Sequence, residues 1–351
     1  MIVNLLALAA GLVVLVFAAD HFVLGASRVA AVLDIPRVVV GAVVIGFGTS
    51  LPEMVVSIIA AGGGDRDLGV GNIVGSNVAN VGLVLGVAAL ITRMSIKAST
   101  LRREIPLSLA GTALFAVLYF DGRVERWEGA VLVVALVAAV VFLIRAGLAE
   151  HEEEDGVDVN KKIESLRTFG GLIGVVVGAQ LVVIGATGTA EVWGVTGGFV
   201  GFSVVALGTS LPELVTTFVS ARRGETELII GNLFGSNLFN SLAVGGGMGL
   251  VGPGLIGDDR LTTLGNGLML VVCASAFLLA LIGRFVGHRE GIVLISMYLV
   301  AMVVLGTGAA NDDTASAPLE AVKRSGLEAV PYRASAASGL MLAEHQSGLM
   351  L

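Results

Sequence analysis

The strongest constraint on the fold is a stretch that occurs twice, 208 − 48 = 160 residues apart. Residues 48–53 read GTSLPE, and residues 208–213 read the same six letters. An ungapped alignment of residues 41–86 with residues 201–246 gives 20 identities in 46 positions. The chain therefore carries an internal duplication, and its two halves are expected to fold alike.

The composition indicates a membrane protein. The 351 residues are 55% hydrophobic and only 14% charged, whereas soluble domains have roughly 25% charged residues. Apolar windows of about 20 residues, enough to cross a hydrocarbon core of roughly 30 Å, recur along the chain. The sequence predicts ten such spans, at 3–25, 38–61, 68–91, 104–120, 127–146, 169–190, 197–221, 228–250, 262–283 and 291–309.

The repeat and the spans together predict the architecture. Each copy holds five spans, and because five is odd, the second copy must enter the membrane from the opposite side. The predicted fold is all-α and integral to the membrane, with ten transmembrane helices as a 5+5 inverted-topology repeat, an arrangement that places the binding site of many transporters at the midplane between the repeats. The predicted segments are a first five-helix repeat at 1–146, an acidic cytoplasmic linker at 147–167, a second repeat at 168–309 and a disordered tail at 310–351.

The distribution of basic residues predicts the orientation. Loops that follow odd-numbered spans hold 14 Lys and Arg residues, and loops that follow even-numbered spans hold four. Positive residues favour the cytoplasmic side, so both termini are expected to be extracytoplasmic. We expect a multi-pass protein of a prokaryotic cell (inner) membrane.

Two glutamates lie in the middle of apolar spans. Glu53 and its repeat counterpart Glu213 each follow a proline, Pro52 or Pro212, which interrupts a helix and releases backbone carbonyls near residues 48–49 and 208–209. A carboxylate at membrane depth costs at least a few kcal/mol unless it has a partner or a cavity. Apart from Arg145, at the very end of the fifth span, no Lys or Arg lies within the spans, so none is available to neutralise these two. The missing positive charge is most simply a cationic substrate.

Other oxygen-bearing residues share the repeated motifs. The second motif, GNxxGSN, is followed by an asparagine in both copies, so Ser76 and Asn80, and likewise Ser236 and Asn240, lie four residues apart on one helix face. Oxygen donors without His or Cys suit hard cations such as Ca²⁺ and Na⁺. Small and hydroxylated residues in spans also serve helix packing alone, and this reading is retained for Asn77 and Asn237.

The paired GTSLPE and GNxxGSN motifs resemble the two alpha repeats of the calcium/cation antiporter superfamily, in particular its sodium/calcium exchanger branch. The resemblance covers residues 1–309 and implies an antiporter, not an enzyme, that exchanges Na⁺ for Ca²⁺ by alternating access, with ion sites between spans 2, 3, 7 and 8. It implies no cofactor. The residues it assigns to the ions are Glu53, Glu213, Thr49, Thr209, Ser50, Ser210, Ser76, Ser236, Asn80, Asn240, Gly46 and Ala206.

The sequence leaves two alternatives to this function open. Position 240 is Asn, where potassium-dependent and some prokaryotic members of the superfamily have Asp, so the resemblance favours Na⁺ coupling over K⁺ coupling. It also disfavours H⁺ coupling, because the proton-coupled branch carries different acidic motifs in these helices. A cation channel is a more distant alternative. The expected partners are Ca²⁺, Na⁺ and the lipid bilayer; neither nucleic acid nor an oligomer is required.

Overall fold

The structure is a computed structural model that describes residues 1–33, 35–149, 160–192 and 208–305. Almost all of these residues are helical. Seven of the helices are long and apolar enough to cross a membrane, and an eighth span results if one bent pair is counted together. The main helices are α1 (Ile2–Leu33), α2 (Arg37–Thr49), α3 (Leu51–Gly62), α4 (Arg66–Ile91), α5 (Glu104–Leu118), α6 (Arg126–Ala149), α7 (Lys161–Val192), α8 (Leu211–Arg223), α9 (Thr226–Val251), α10 (Leu261–Gly283) and α11 (His288–Leu305).

These helices lie at the predicted spans, and the fold is that of a helical membrane protein. The predicted fourth span is α5, which has only 15 residues. The predicted seventh span is represented by α8, and its first part falls in 193–207, outside the described residues. The count of ten therefore stays a prediction. Helix α7 begins at Lys161, before the predicted repeat boundary at 168, and the predicted tail at 310–351 lies outside the described residues.

The span that contains Glu53 is broken. Helices α2 and α3 meet at Ser50 with a bend of 45°. Residues 48–49, where the helix was predicted to open, remain helical, so the break comes one residue later than predicted. Pro52 sits in the first turn of α3, where its missing N–H removes no hydrogen bond within that helix. Ser210, the counterpart of Ser50, precedes α8 with nearly the same dihedral angles, φ −85° and ψ 5° against φ −81° and ψ 2°.

Helices α4 and α9 form the buried centre. Each contains a π-helical turn at equivalent repeat positions, Ala79–Val84 in α4 and Asn240–Val244 in α9. Helix α9 packs against α2 through glycines: a Cβ on Gly235 would lie 2.5 Å from Ala42 Cα. This close approach brings the motif of one repeat against the broken helix of the other.

Helices α1 and α7 form an antiparallel pair. Their buried apolar residues belong to a hydrophobic cluster that is separate from the central one and also includes a few residues of α2, α8 and α9. Glycines of α7 face the backbone of α1. A Cβ on Gly171 would lie 2.6 Å from Phe22 N, and one on Gly178 would lie 2.7 Å from Leu15 N. Small residues allow membrane helices to pack this closely, since apolar side chains gain little by leaving lipid.

Ionic contacts tie one end of this pair to the rest of the protein. Glu225, between α8 and α9, accepts hydrogen bonds from Ser27 Oγ at 2.8 Å and from Arg37 Nη1 at 2.8 Å. Asp20 of α1 pairs with Arg223 at 2.5 Å. These residues lie on the side predicted to be cytoplasmic.

Four short strands join loops that are distant in sequence. Strand β1 (Met94–Ser95) pairs with β4 (Phe285–Val286), and β2 (Arg123–Val124) pairs with β3 (Gly254–Leu255), both antiparallel. The first pair joins loops that follow predicted spans 3 and 9, and the second joins loops that follow spans 4 and 8. Each pair therefore joins loops on one side of the membrane, as alternating spans require.

Candidate cation-binding site

The two glutamates occupy equivalent positions in the first turns of α3 and α8, and both are 0% exposed. Each accepts a hydrogen bond from the serine of the opposite repeat. Ser210 Oγ donates to Glu53 Oε1 at 3.4 Å, and Ser50 Oγ donates to Glu213 Oε1 at 3.4 Å. The Oε2 atom of each carboxylate has no hydrogen-bond partner among the described residues. Each glutamate thus offers a buried oxygen that can bind a cation.

No basic side chain in the described part of the chain neutralises these carboxylates. The ion pairs lie elsewhere, at helix ends and in loops. Within the same ranges, no three His, Cys, Asp or Glu side chains come together. The donors around Glu53 and Glu213 are therefore mainly neutral oxygens, which Na⁺ and Ca²⁺ both accept.

The hydroxyl groups of the motifs connect the two repeats. Thr49 Oγ1 lies 3.0 Å from Ile45 O and 3.2 Å from Ser236 Oγ, so its hydroxyl proton is shared among neighbouring oxygens. Ser236 Oγ in turn donates to Gly46 O at 3.2 Å. In the other half, Ser210 Oγ lies 3.3 Å from Ser76 Oγ. The predicted site residues of α2, α4, α8 and α9 therefore meet at one interface.

Two predicted asparagines lie at the π-helical turns and keep unpartnered polar atoms. Asn80 Nδ2 donates to Asn237 Oδ1 at 3.1 Å, while Asn80 Oδ1 has no partner among the described residues. Asn240 is 0% exposed, and within those ranges neither of its amide atoms is hydrogen-bonded. Buried polar atoms are rarely left unpaired, so a bound ligand can supply the missing partner of each asparagine side chain. Ala206, the remaining predicted residue, lies outside the described residues.

Sequence reasoning missed a second pair of asparagines, Asn72 and Asn232. Both are buried, and both hydrogen-bond to the opposite repeat: Thr209 Oγ1 donates to Asn72 Oδ1 at 3.2 Å, and Thr49 Oγ1 lies 3.2 Å from Asn232 Oδ1. The signal was present, because each is the first asparagine of GNxxGSN and precedes the motif serine by four residues. This spacing alone does not identify a site residue, because a lone amide in a span usually serves packing.

Comparison with known proteins identifies the family. The family described as "Sodium/calcium exchanger protein" matches residues 3–145 and 166–307, one match for each repeat. The chain belongs to this family. It is a multi-pass membrane protein of a transporter family, and the resemblance drawn from the paired motifs is confirmed.

Relatives match over most of their length. The sodium/calcium exchanger MaX1 of Methanosarcina acetivorans is 31% identical over 350 residues, covering 86% of this chain and 98% of that protein. The inner membrane protein YrbG of Escherichia coli is 32% identical, covering 84% of this chain and 94% of that protein. A solved structure of the sodium-calcium exchanger NCX_Mj matches with a TM-score of 0.78 and 29% identity, over 86% of this chain and 98% of that chain.

Proposed function

We propose that this protein exchanges Na⁺ for Ca²⁺ across the membrane by alternating access. The observation that carries the proposal is the pair of fully buried glutamates, each bonded to the opposite repeat and each with one oxygen unpartnered among the described residues. Family membership and the likeness to sodium/calcium exchangers support the choice of ions.

The charge of the site explains why the two ions would compete. Glu53 and Glu213 carry a formal charge of −2, which one Ca²⁺ neutralises and which two or three Na⁺ neutralise or slightly exceed. An empty site leaves bare charge in a low dielectric, and burying such charge costs several kcal/mol. The protein should therefore switch between its inward-open and outward-open states only when loaded with either ion, which is the property of an exchanger.

The roles of the site residues follow from their positions. Glu53 and Glu213 would bridge the Ca²⁺ and Na⁺ positions at the centre. Hydroxyl and amide oxygens would complete the coordination, and the carbonyls of residues 46 and 206 would contribute to outer Na⁺ positions. The neutral ligands are Thr49, Thr209, Ser50, Ser210, Ser76, Ser236, Asn80 and Asn240.

The moving part would be the α1–α7 pair. Its buried apolar residues contact only a few residues of α2, α8 and α9 in a cluster separate from the central one, and its two helices are held together by close glycine contacts such as that of Gly178 with Leu15. We propose that the pair slides as one body over the site and opens it to one side at a time. This motion needs no change in the packing between α4 and α9.

The test is ⁴⁵Ca²⁺ uptake into proteoliposomes preloaded with Na⁺, K⁺ or protons. Wild type should take up Ca²⁺ only against internal Na⁺, and Glu213→Gln should abolish uptake because it removes half of the site's charge. Glu128→Gln is the matched control: Glu128 is also buried, but it accepts a hydrogen bond from the Glu125 backbone at the start of α6, outside the site. Its uptake should stay within about twofold of wild type.

Three results would contradict the proposal. Uptake driven equally by K⁺ or by a proton gradient would assign a different coupling ion. Uptake retained by Glu213→Gln would remove the paired glutamates from the ion path. Steady unitary currents in a planar bilayer would instead indicate a channel.

A further inference from the structure

Asn72 and Asn232 are linked to both repeats by their hydrogen bonds. Asn72 Nδ2 donates to Ser57 Oγ at 3.0 Å and approaches Glu53 O at 3.5 Å, both in its own repeat. Its Oδ1 accepts from Thr209 of the other repeat at 3.2 Å. One amide therefore connects the turn that carries Glu53 to Thr209.

The second copy repeats the arrangement. Asn232 Nδ2 donates to Thr217 Oγ1 at 3.3 Å, and position 217 is the repeat counterpart of Ser57. It also donates to Thr216 Oγ1 at 3.3 Å, and Thr216 donates to Pro212 O at 2.6 Å, in the turn that carries Glu213. The Oδ1 atom of Asn232 lies 3.2 Å from Thr49 Oγ1 of the first repeat. The same connection thus links the turn of Glu213 to Thr49.

Asn72 and Asn232 differ from the proposed asparagine ligands in whether their side-chain polar atoms are all hydrogen-bonded. Asn80 and Asn240 each retain a buried side-chain oxygen without a partner among the described residues. The amide nitrogen and oxygen of Asn72 and Asn232 are all engaged with protein atoms. A fully engaged amide has little capacity left for an ion, but it fixes the groups it joins.

We infer that Asn72 and Asn232 are positioning residues that set the separation between the glutamate of one repeat and the threonine of the other, and thereby the fit of the site to Ca²⁺. This inference rests on the proposed function. Ca²⁺ takes oxygen ligands at about 2.3–2.6 Å, whereas Mg²⁺ requires about 2.0–2.1 Å. Ligands held apart by a rigid neutral amide favour the larger ion, and the amide adds no charge to the site.

The experiment is a double-mutant cycle on the purified protein. A cation that binds the folded state raises its unfolding temperature. The quantity compared is therefore the Ca²⁺ concentration that gives half of the maximal rise in unfolding temperature. Asn72→Ala should raise this concentration at least tenfold. In a Thr209→Val background, the same substitution should change it less than twofold, because the group that Asn72 holds is already gone. Asn232→Ala with Thr49→Val should behave in the same way.

Controls separate positioning from general destabilisation. Thr112→Val removes a buried hydroxyl outside the site, which bonds to Ser108 and Ser241, and should shift the Ca²⁺ concentration less than threefold. Ser57→Ala removes only the anchor of Asn72 and should raise it about threefold, which keeps the test available if Asn72→Ala does not fold. The preference for Ca²⁺ over Mg²⁺, measured in the same assay, should fall in Asn72→Ala and in Ser57→Ala but not in Thr112→Val.

The outcomes distinguish the inference from the proposed function. A wild-type protein that Ca²⁺ does not stabilise would refute Ca²⁺ binding, and the inference would fall with it. A wild type that responds to Ca²⁺ while Asn72→Ala and Ser57→Ala respond equally well would refute the positioning role alone. An equal shift from Asn72→Ala with and without Thr209 would also refute it, because the effect would not pass through that threonine.

Discussion

At the scale of single residues, the side chain at position 240 determines how much charge the site must neutralise. Asn240 is fully buried, and its amide atoms have no hydrogen-bond partner in the described ranges. With asparagine there, the formal charge of the site comes from Glu53 and Glu213 alone and equals that of one Ca²⁺ with opposite sign. In the proposed exchanger, the site loaded with one Ca²⁺ is thus neutral because residue 240 is an amide and not a carboxylate.

Asn240→Asp should therefore make transport depend on pH. With three carboxylates, one Ca²⁺ leaves a net charge of −1, and the loaded protein can switch between its inward-open and outward-open states readily only if a proton neutralises that charge. We expect Na⁺-driven ⁴⁵Ca²⁺ uptake by this variant to be at least tenfold slower at pH 8.5 than at pH 6.5, and wild type to change less than threefold. A variant with the pH profile of wild type would show that residue 240 does not face the ion.

The same scale shows what sequence could and could not predict about the site. Glu53 and Glu213 were predictable, because a carboxylate inside an apolar span has few structural uses. Asn72 was not, since its role depends on Thr209, which comes from a different repeat and is 137 residues away in sequence. A pattern on one helix identifies the residues that face inward but not their partners.

At the scale of elements, the breaks and π-helical turns lie at the candidate site, and sequence predicts them unevenly. Pro52 predicted the interruption of the second span to within a residue or two, because proline has a direct steric effect. The π-helical turns at Ala79–Val84 and Asn240–Val244 had no such signal. The two-residue strands also have no signal in the sequence, because their pairing depends on loops that the rest of the fold brings together.

The α1–α7 contact gives a prediction at this scale. Gly178→Ala should destabilise the protein by about 1–3 kcal/mol, the usual cost of overpacking, because the added Cβ would lie 2.7 Å from Leu15 N. Gly170→Ala, on the same helix, is the control, because a Cβ there meets nothing within 4 Å. Thermal unfolding in detergent should show a lower midpoint for the first variant only; equal midpoints would mean that the two helices do not pack as described.

At the scale of the whole molecule, the inverted repeat relates two surfaces that face different compartments. Ser95 in β1 and Leu255 in β3 are repeat counterparts, since 255 − 95 = 160, and both side chains are exposed. An odd number of spans separates them in the predicted topology. The fold class could be predicted because it depends on the duplication and on the number of spans. Neither changes when the predicted end of a helix is wrong by several residues.

This relation yields a test of the topology with a built-in control. The lone cysteine, Cys273, is buried, so a Cys273→Ala background permits single cysteines at positions 95 and 255. In intact cells a membrane-impermeant maleimide should label Leu255→Cys, on the outer side, and should label Ser95→Cys only after the membrane is opened. Labelling of both positions in intact cells would contradict the inverted topology. The reverse pattern would keep the inverted repeat but place both termini in the cytoplasm, against the distribution of Lys and Arg.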